Sequence, residues 1–301
     1  MTKISSMTTT DDTRFLLGGD LPVARMGFGA MRLPARGWEG PANDPETAVK
    51  VLRRAVELGV NHIDTAWFYF HEDIAANDLI RKALHPYADD LVIAAKVGPG
   101  RNPDGSWMDP ADPRKLQDDV HRSLRELGRD HLDLVYLRLL PSQRATGPTA
   151  ELFGALAELR EQGLIRHLGI SNVTTAHLDQ ALRTAPVAAV QNLYAVTHRP
   201  EPAVLDACTE RGIAYVPFFS LDPLGRPEPV DTLARIAARH DASTAQVKLA
   251  WLLAQSPAVL PIPGTSSVAH LEENIAAAGL RLDDEALAEL NALTDDPIDE
   301  E

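Results

Sequence analysis

Five polar sites interrupt this chain where apolar runs end. Asp64 closes NHID, Lys96 follows five apolar residues in LVIAAK, Arg138 follows LDLVYL, Ser171-Asn172 follow HLGI, and Gln191-Asn192 follow AAV. Charges in such settings are costly unless they pair with one another. A carboxylate, an ammonium and a guanidinium brought together can hold or move a proton and polarise an oxygen. Singly, most have ordinary explanations. Asp64-Thr65 can start a turn, Ser171-Asn172 can cap a helix, and Gln191 and Tyr194 can be a hydrogen-bonded strand end and a core aromatic. Lys96 resists such a reading, because the other lysines (Lys3, Lys50, Lys82, Lys115 and Lys248) stand in polar or helical settings and a lysine is rarely buried unpaired. A lysine at such a place also admits Schiff-base chemistry with a carbonyl, trappable by borohydride. Together the five sites point to chemistry that none of them indicates alone.

The elements that must position this set are legible. Short β-rich runs begin at Met26, Val60, Leu91, Leu132, Ile165, Val187, Ile213 and Val259, eight in all. Between them lie helical segments such as Glu46 to Gly59, which puts Val49, Leu52, Ala55 and Val56 on one face and stops at Gly59. The other helices run from Asn77 to Leu84, Pro113 to Gly128, Ala150 to Gly163, Thr174 to Thr184, Pro202 to Gly212, Val230 to His240, Thr244 to Ala254 and Val268 to Ala278. Eight strand-helix repeats with no Pro/Ser-rich linker predict an α/β fold, a (β/α)8 TIM barrel. FLLGGDLPVARMG, with Gly18-Gly19 at its centre, predicts an N-terminal β-hairpin that plugs the barrel bottom, and Asp283 to Leu293 predicts an extra C-terminal helix. Residues 1–14 are expected to form a flexible tail and residues 15–301 a single domain.

Composition narrows the partners. The chain has 301 residues, 45% hydrophobic, and a net charge of -14, so nucleic acid and anionic membranes are expected to be repelled. One cysteine, Cys208, excludes an internal disulfide, and the ten histidines are scattered without metal-ligand spacing. No apolar run suits a signal peptide or a membrane span. A cytoplasmic protein is expected, and oligomeric state is not legible.

GVNHIDTAWFY, VIAAKVG, GISNV, VQNLY and IPGTSSVAHLEEN occur in the order and approximate spacing of the aldo-keto reductase family, and the chain resembles that family from about Met26 to Asn274. The resemblance implies a TIM barrel that reduces a small-molecule aldehyde or ketone with NADPH, NADH being the second choice. It implies that Tyr69, in DTAWFY, is the general acid. A phenol titrates near ~10 in water, so it needs a cation beside it, and the resemblance gives Lys96 that role with Asp64 holding the lysine in place. The fourth position departs from the family. Where its members carry His in a pattern like L-x-x-L-H, DLVYLR has Arg138, which brings a permanent charge and five donors. Three outcomes are open: Arg138 binds the oxygen or a carboxylate of an acidic substrate, it pairs with Asp64 and restructures the site, or it leaves a nucleotide-binding protein with little turnover. Because Asp64, Tyr69 and Lys96 remain, an active reductase with altered substrate demands is expected.

The resemblance also assigns Ser171, Asn172 and Gln191 to the nicotinamide carboxamide and Tyr194 to stacking on its ring. Phe219 and Leu221 fall in the pyrophosphate loop, with Phe219 where Ser is usual. Gly264, Thr265 and Ser266 lead into a helix whose N-terminus suits a phosphate. His270, Glu273 and Asn274 complete the nucleotide contacts, although Gly264 and His270 stand where NADPH-selective members often carry Lys and Arg. Selectivity is expected from Arg36, Trp38 and Glu39 and from the loops around Trp67 and Trp107, with the three tryptophans as an apolar wall. A rival reading is a nucleotide-binding sensor barrel with little turnover.

Overall fold

The computed structural model describes residues 13–35, 40–102, 104, 106–108, 112–140, 149–221 and 229–293. Arg36, Trp38, Glu39 and most of the expected tail lie outside the described residues. Arg14 does not belong to that tail, because it opens the first strand, paired with Ala24.

The chain runs β1 (Arg14–Leu17), β2 (Leu21–Ala24), β3 (Phe28–Gly29), α1 (Pro45–Glu57), β4 (His62–Asp64), β5 (Phe70–His71), β6 (Ile74–Ala75) and α2 (Ala76–Leu84). It continues β7 (Val92–Val97), α3 (Pro113–Leu127), β8 (Leu132–Arg138), α4 (Thr149–Glu161), β9 (Ile165–Ser171), α5 (Thr175–Thr184), β10 (Ala189–Leu193), α6 (Pro202–Arg211) and β11 (Ala214–Phe218). Helices α7 (Val230–Arg239), α8 (Thr244–Gln255), α9 (Val268–Ala276) and α10 (Asp284–Ala292) follow. Local chemistry sets many of the helix ends. Asp44 accepts from the N–H groups of Glu46 and Thr47 before Pro45 starts α1, and left-handed Gly128 and Gly212 stop α3 and α6.

Seven parallel strands form one sheet in the order β3-β4-β7-β8-β9-β10-β11. The eighth expected strand, VLPIPG, is not a regular one, yet it closes the ring. Tyr215 N–H donates to Ala258 and Leu260 N–H donates to Tyr215, both at 2.8 Å, on the β11 side. On the β3 side, Gly27 N–H reaches the Pro261 carbonyl at 2.9 Å and Gly29 N–H the Pro263 carbonyl at 3.5 Å. Both residues facing β3 are prolines with no N–H to return, so only half of that ladder forms. The approach is close: a Cβ on Gly29 would sit 2.6 Å from the Ile262 carbonyl oxygen.

Inside the ring, alternate residues share one face. Val92 and Ala94, Leu134 and Tyr136, Ala189, and Ala214 and Val216 build an inner apolar core with Leu17, Leu21 and Val23 of the hairpin, which plugs the end where the strands begin. The turn between β1 and β2 uses Gly18 and Gly19 at φ of 62° and 88°. A second core lies between the strands and the surrounding helices.

His62, on β4, fills the space beneath Gly27. Burial outweighs its contact with the Ala24 carbonyl and pushes its pKa from 6.5 down to about 4. The folded protein keeps this ring neutral while the unfolded chain protonates it, so stability falls as pH drops from 6.5 toward 4. At about 1.4 kcal/mol per pH unit the full loss is about 3 kcal/mol. Urea midpoints of wild type and His62→Gln at pH 7 and pH 5 check this: the wild type should lose more stability than the variant.

Candidate active site

The same alternation that lays the apolar layers ends each strand in a chemical group. Val92-Ala94 lead to Lys96, Leu134-Tyr136 to Arg138, Ala189 to Gln191, and Ala214-Val216 to Phe218. Parallel register brings these ends to one rim, Arg138 opposite Ser171 and Ser171 opposite Gln191.

A cavity of about 280 Å³ opens on that rim. Asp64, Tyr69, Arg138 and Gln191 line it, and Lys96 lies below with 1% of its surface exposed. Lys96 Nζ is ion-paired with Asp64 Oδ1 and contacts the Thr65 carbonyl at 3.4 Å. Gln191 Nε2 donates to the other Asp64 oxygen at 2.7 Å. The lysine ammonium stands 4.9 Å from the centroid of the Tyr69 ring. Tyr69 is pinned by its loop: its N–H donates to Ala66, and its carbonyl accepts from Ala76 at the start of α2.

Arg138 lies deep yet borders the cavity. Its Nη1 donates to Ser171 Oγ at 3.1 Å and its guanidinium carbon sits 4.8 Å from the Phe218 ring centroid. Burial lowers its pKa, while the charges of Tyr69 and Asp64 oppose that shift. Asn172, at φ 61°, uses its side chain on the Leu139 carbonyl at 2.9 Å and its N–H on Gln191. Ser171 and Asn172 thus engage protein groups, and both strand-end amides hold the rim together.

Phe219, Leu221 and Gly264 also line the cavity. Gly264 leads toward α9, where Ser267 caps the helix by accepting from the His270 N–H, and Thr265 Oγ1 accepts from the Ser267 N–H at 3.1 Å. His270 is exposed, Ser266 and Glu273 half-buried and Asn274 buried. These α9 residues and Thr265 stand beyond the cavity wall rather than in it.

Two expected positions lie outside this cavity. Tyr194, read as the stacking aromatic, is outside the cavity: it lies past the end of β10 and stacks on Trp251, with centroids 5.7 Å apart and planes at 13°. Phe218 and Phe219 are the cavity aromatics on that side. Trp67 does not join the wall, because it is buried against α3 beneath Lys115 and Arg122; Phe68 and Trp107 line the cavity instead. Phe218 was legible from the alternation Ala214-Val216-Phe218.

Tyr136 reads as ordinary core in the sequence. It is buried one step below Arg138 on the same face, and its hydroxyl shares a hydrogen bond with Gln191. Burial raises its pKa well above the usual phenol range, the Asp64 charge adds to this and the Gln191 bond offsets part of it. A Cβ on Gly169 would collide with its ring, so glycine there makes the room. Cys208 is remote and buried, its thiol pushed up to about 12, which removes it as a nucleophile. Among the described residues no cluster of His, Cys, Asp or Glu could hold a metal, and no helix is long and apolar enough to cross a membrane.

Comparison with known proteins gives this arrangement a family. Pyridoxine 4-dehydrogenase of Escherichia coli (strain K12) is 46% identical over 281 residues, covering 92% of this chain and 96% of that protein. A thermostable aldo-keto reductase solved with the inhibitor epalrestat superposes with a TM-score of 0.78 at 30% identity, over 93% of this chain and 99% of the other. An aldo/keto reductase from Klebsiella pneumoniae, solved with NADP and acetate, gives 0.75 at 26% identity over 93% and 95% of the two chains. The model of the aldo/keto reductase family matches residues 25–295. The chain belongs to the aldo/keto reductase family and is an oxidoreductase of the α/β-barrel type.

Proposed function

We propose that this enzyme interconverts an aldehyde or ketone and its alcohol with NADPH, and that Tyr69 is its proton donor. The observation that carries the reading is the Tyr69 ring at the cavity wall, over an ammonium that is itself clamped by Asp64. The cofactor fits the donor set. A flat aromatic, Phe218, lines the cavity beside Arg138 and with the polar Gln191, the wall includes Ser220, Leu221 and Gly264, and the chain after Gly264 enters the N-terminus of α9. Ser171, Gln191, Phe218 and the 219–221 backbone would hold the nicotinamide half, and Ser266, His270, Glu273 and Asn274 the nucleotide half.

When bound, the cofactor supplies the hydride that reaches the carbonyl carbon. Tyr69 gives its hydroxyl proton to the carbonyl oxygen, and in the direction of alcohol oxidation its phenolate takes that proton back. Lys96 stabilises the negative phenolate, while Asp64 and Gln191 fix the lysine against the ring. Arg138 orients the oxygen. Phe68, Trp107 and Phe218 keep water from the reacting carbon.

The 46% identical relative acts, by its name, on pyridoxine, so the pyridoxine/pyridoxal pair is the first substrate to test. NADPH leads NADH because solved relatives hold NADP. Titration of the purified protein with each nucleotide, followed by tryptophan fluorescence, and then turnover of pyridoxal and simple aldehydes, is the test. Tight NADPH binding with turnover is expected. Absence of binding to either nucleotide overturns the reading.

A further inference from the structure

Among the described residues, the charges at the centre of the cavity do not balance. Asp64 is the one carboxylate of the described lining, with Arg138 in the wall and Lys96 directly beneath. Asp64 already neutralises Lys96 and is shared with Gln191. Among the described residues Arg138 has no carboxylate in ion-pair contact, and the charge of Asp64 acts on it only at longer range, in a protein whose net charge is -14. A half-buried cation without a contacting counter-ion is costly, and an anionic ligand that supplies one gains what the free protein lacks.

The shape of this cation is specific. Ser171 accepts from one of the five guanidinium N–H groups, and the Phe218 ring centroid lies 4.8 Å from the guanidinium carbon. Arg138 borders the cavity together with Tyr69 and the aromatic residues Phe68, Trp107 and Phe218. A planar fork fixed in this way is matched by two coplanar oxygens on the same side of a ligand. An aromatic aldehyde with an ionised oxygen on the neighbouring ring carbon presents such a pair, and its ring suits the wall.

We propose that Arg138 makes this site selective for aromatic carbonyl compounds bearing an ionised oxygen ortho to the carbonyl, the guanidinium bridging both oxygens while Tyr69 addresses the carbonyl. This inference rests on the carbonyl-reductase reading, and it deepens that reading to a substrate class. In the reductive direction the carbonyl carbon gains the hydride and the carbonyl oxygen gains the Tyr69 proton. The ortho oxygen stays ionised and paired with Arg138 throughout.

The probe is 5-nitrosalicylaldehyde, whose phenol is ionised at neutral pH, compared with its methyl ether, 2-methoxy-5-nitrobenzaldehyde. Products are followed by chromatography, and binding without nucleotide by the shift of the nitrophenolate absorption band. Wild type should favour the phenolate over the ether by about 10- to 100-fold in kcat/KM, the scale of a hydrogen bond to a charged group. Arg138→Gln should bring that ratio to about one, and Arg138→Lys should restore part of it. The ratio is taken within each protein, so partial loss of folded enzyme does not move it. Equal use of both aldehydes by wild type overturns the proposal and leaves the reductase reading standing. An Arg138-dependent band shift with no turnover of any carbonyl upholds Arg138 as the oxyanion site and overturns the reductase reading. No band shift together with no phenolate preference overturns the proposal outright.

Discussion

Replacing Tyr69 with phenylalanine is expected to lower kcat for pyridoxal, or for whichever aldehyde proves the better substrate, by about 10²- to 10⁴-fold, the usual worth of a positioned proton donor. Phenylalanine keeps the ring that Lys96 faces at 4.9 Å and the edge-to-face contact with Phe68 at 5.2 Å. It removes only the hydroxyl. Nucleotide affinity by fluorescence and the thermal midpoint should therefore stay near wild type, which separates a lost proton from a lost fold. The loss should fall on kcat more than on KM, because proton transfer matters in the transition state and not in the bound ground state. A Tyr69→Phe enzyme with near-normal kcat would falsify the assignment and shift the proton to water.

How such a site could be read from one strand of letters follows from the barrel's alternation. Lys96, Arg138 and Gln191 are visible because each is a polar residue two places beyond a member of the inner core, and Asp64 because a carboxylate ends the NHID run. Residues reached through the loops were harder. Tyr194 sits one residue past the end of β10, where alternation no longer holds, and tertiary packing carries it to Trp251. Phe218 obeyed the alternation but resembled ordinary core, as Tyr136 did, since an aromatic on an inner face gives no sign of whether it packs or recognises. Trp67 stands two places before Tyr69, and the turn through Ala66 aims it outward at α3. The closing segment is legible as the run from Val259, but its irregular form is not. Pro261 and Pro263 remove the N–H groups by which a strand is recognised, while their carbonyls still hold β3.

The Asp64-Lys96 pair carries the other large effect, and here stability and chemistry can be separated. Lys96 and Asp64 side chains are 1% and 5% exposed, so each charge depends on its partner. Lys96→Met leaves the carboxylate with Gln191 as its remaining neutral donor and should cost about 3–5 kcal/mol of folding free energy, the range for breaking a buried pair. Adding Asp64→Asn removes the stranded charge, and Asn still accepts from Gln191, so the double variant should recover most of that loss. Turnover should not return with it. Methionine provides no charge beneath the Tyr69 ring, and both variants should stay at least about 10²-fold below wild type in kcat. Urea unfolding of the wild type, both single variants and the double variant gives the coupling energy directly. Purely additive losses would mean that the two side chains do not act as a pair. Recovered turnover in a stable double variant would mean that the lysine serves only the fold, and that the phenol works without a cation beside it.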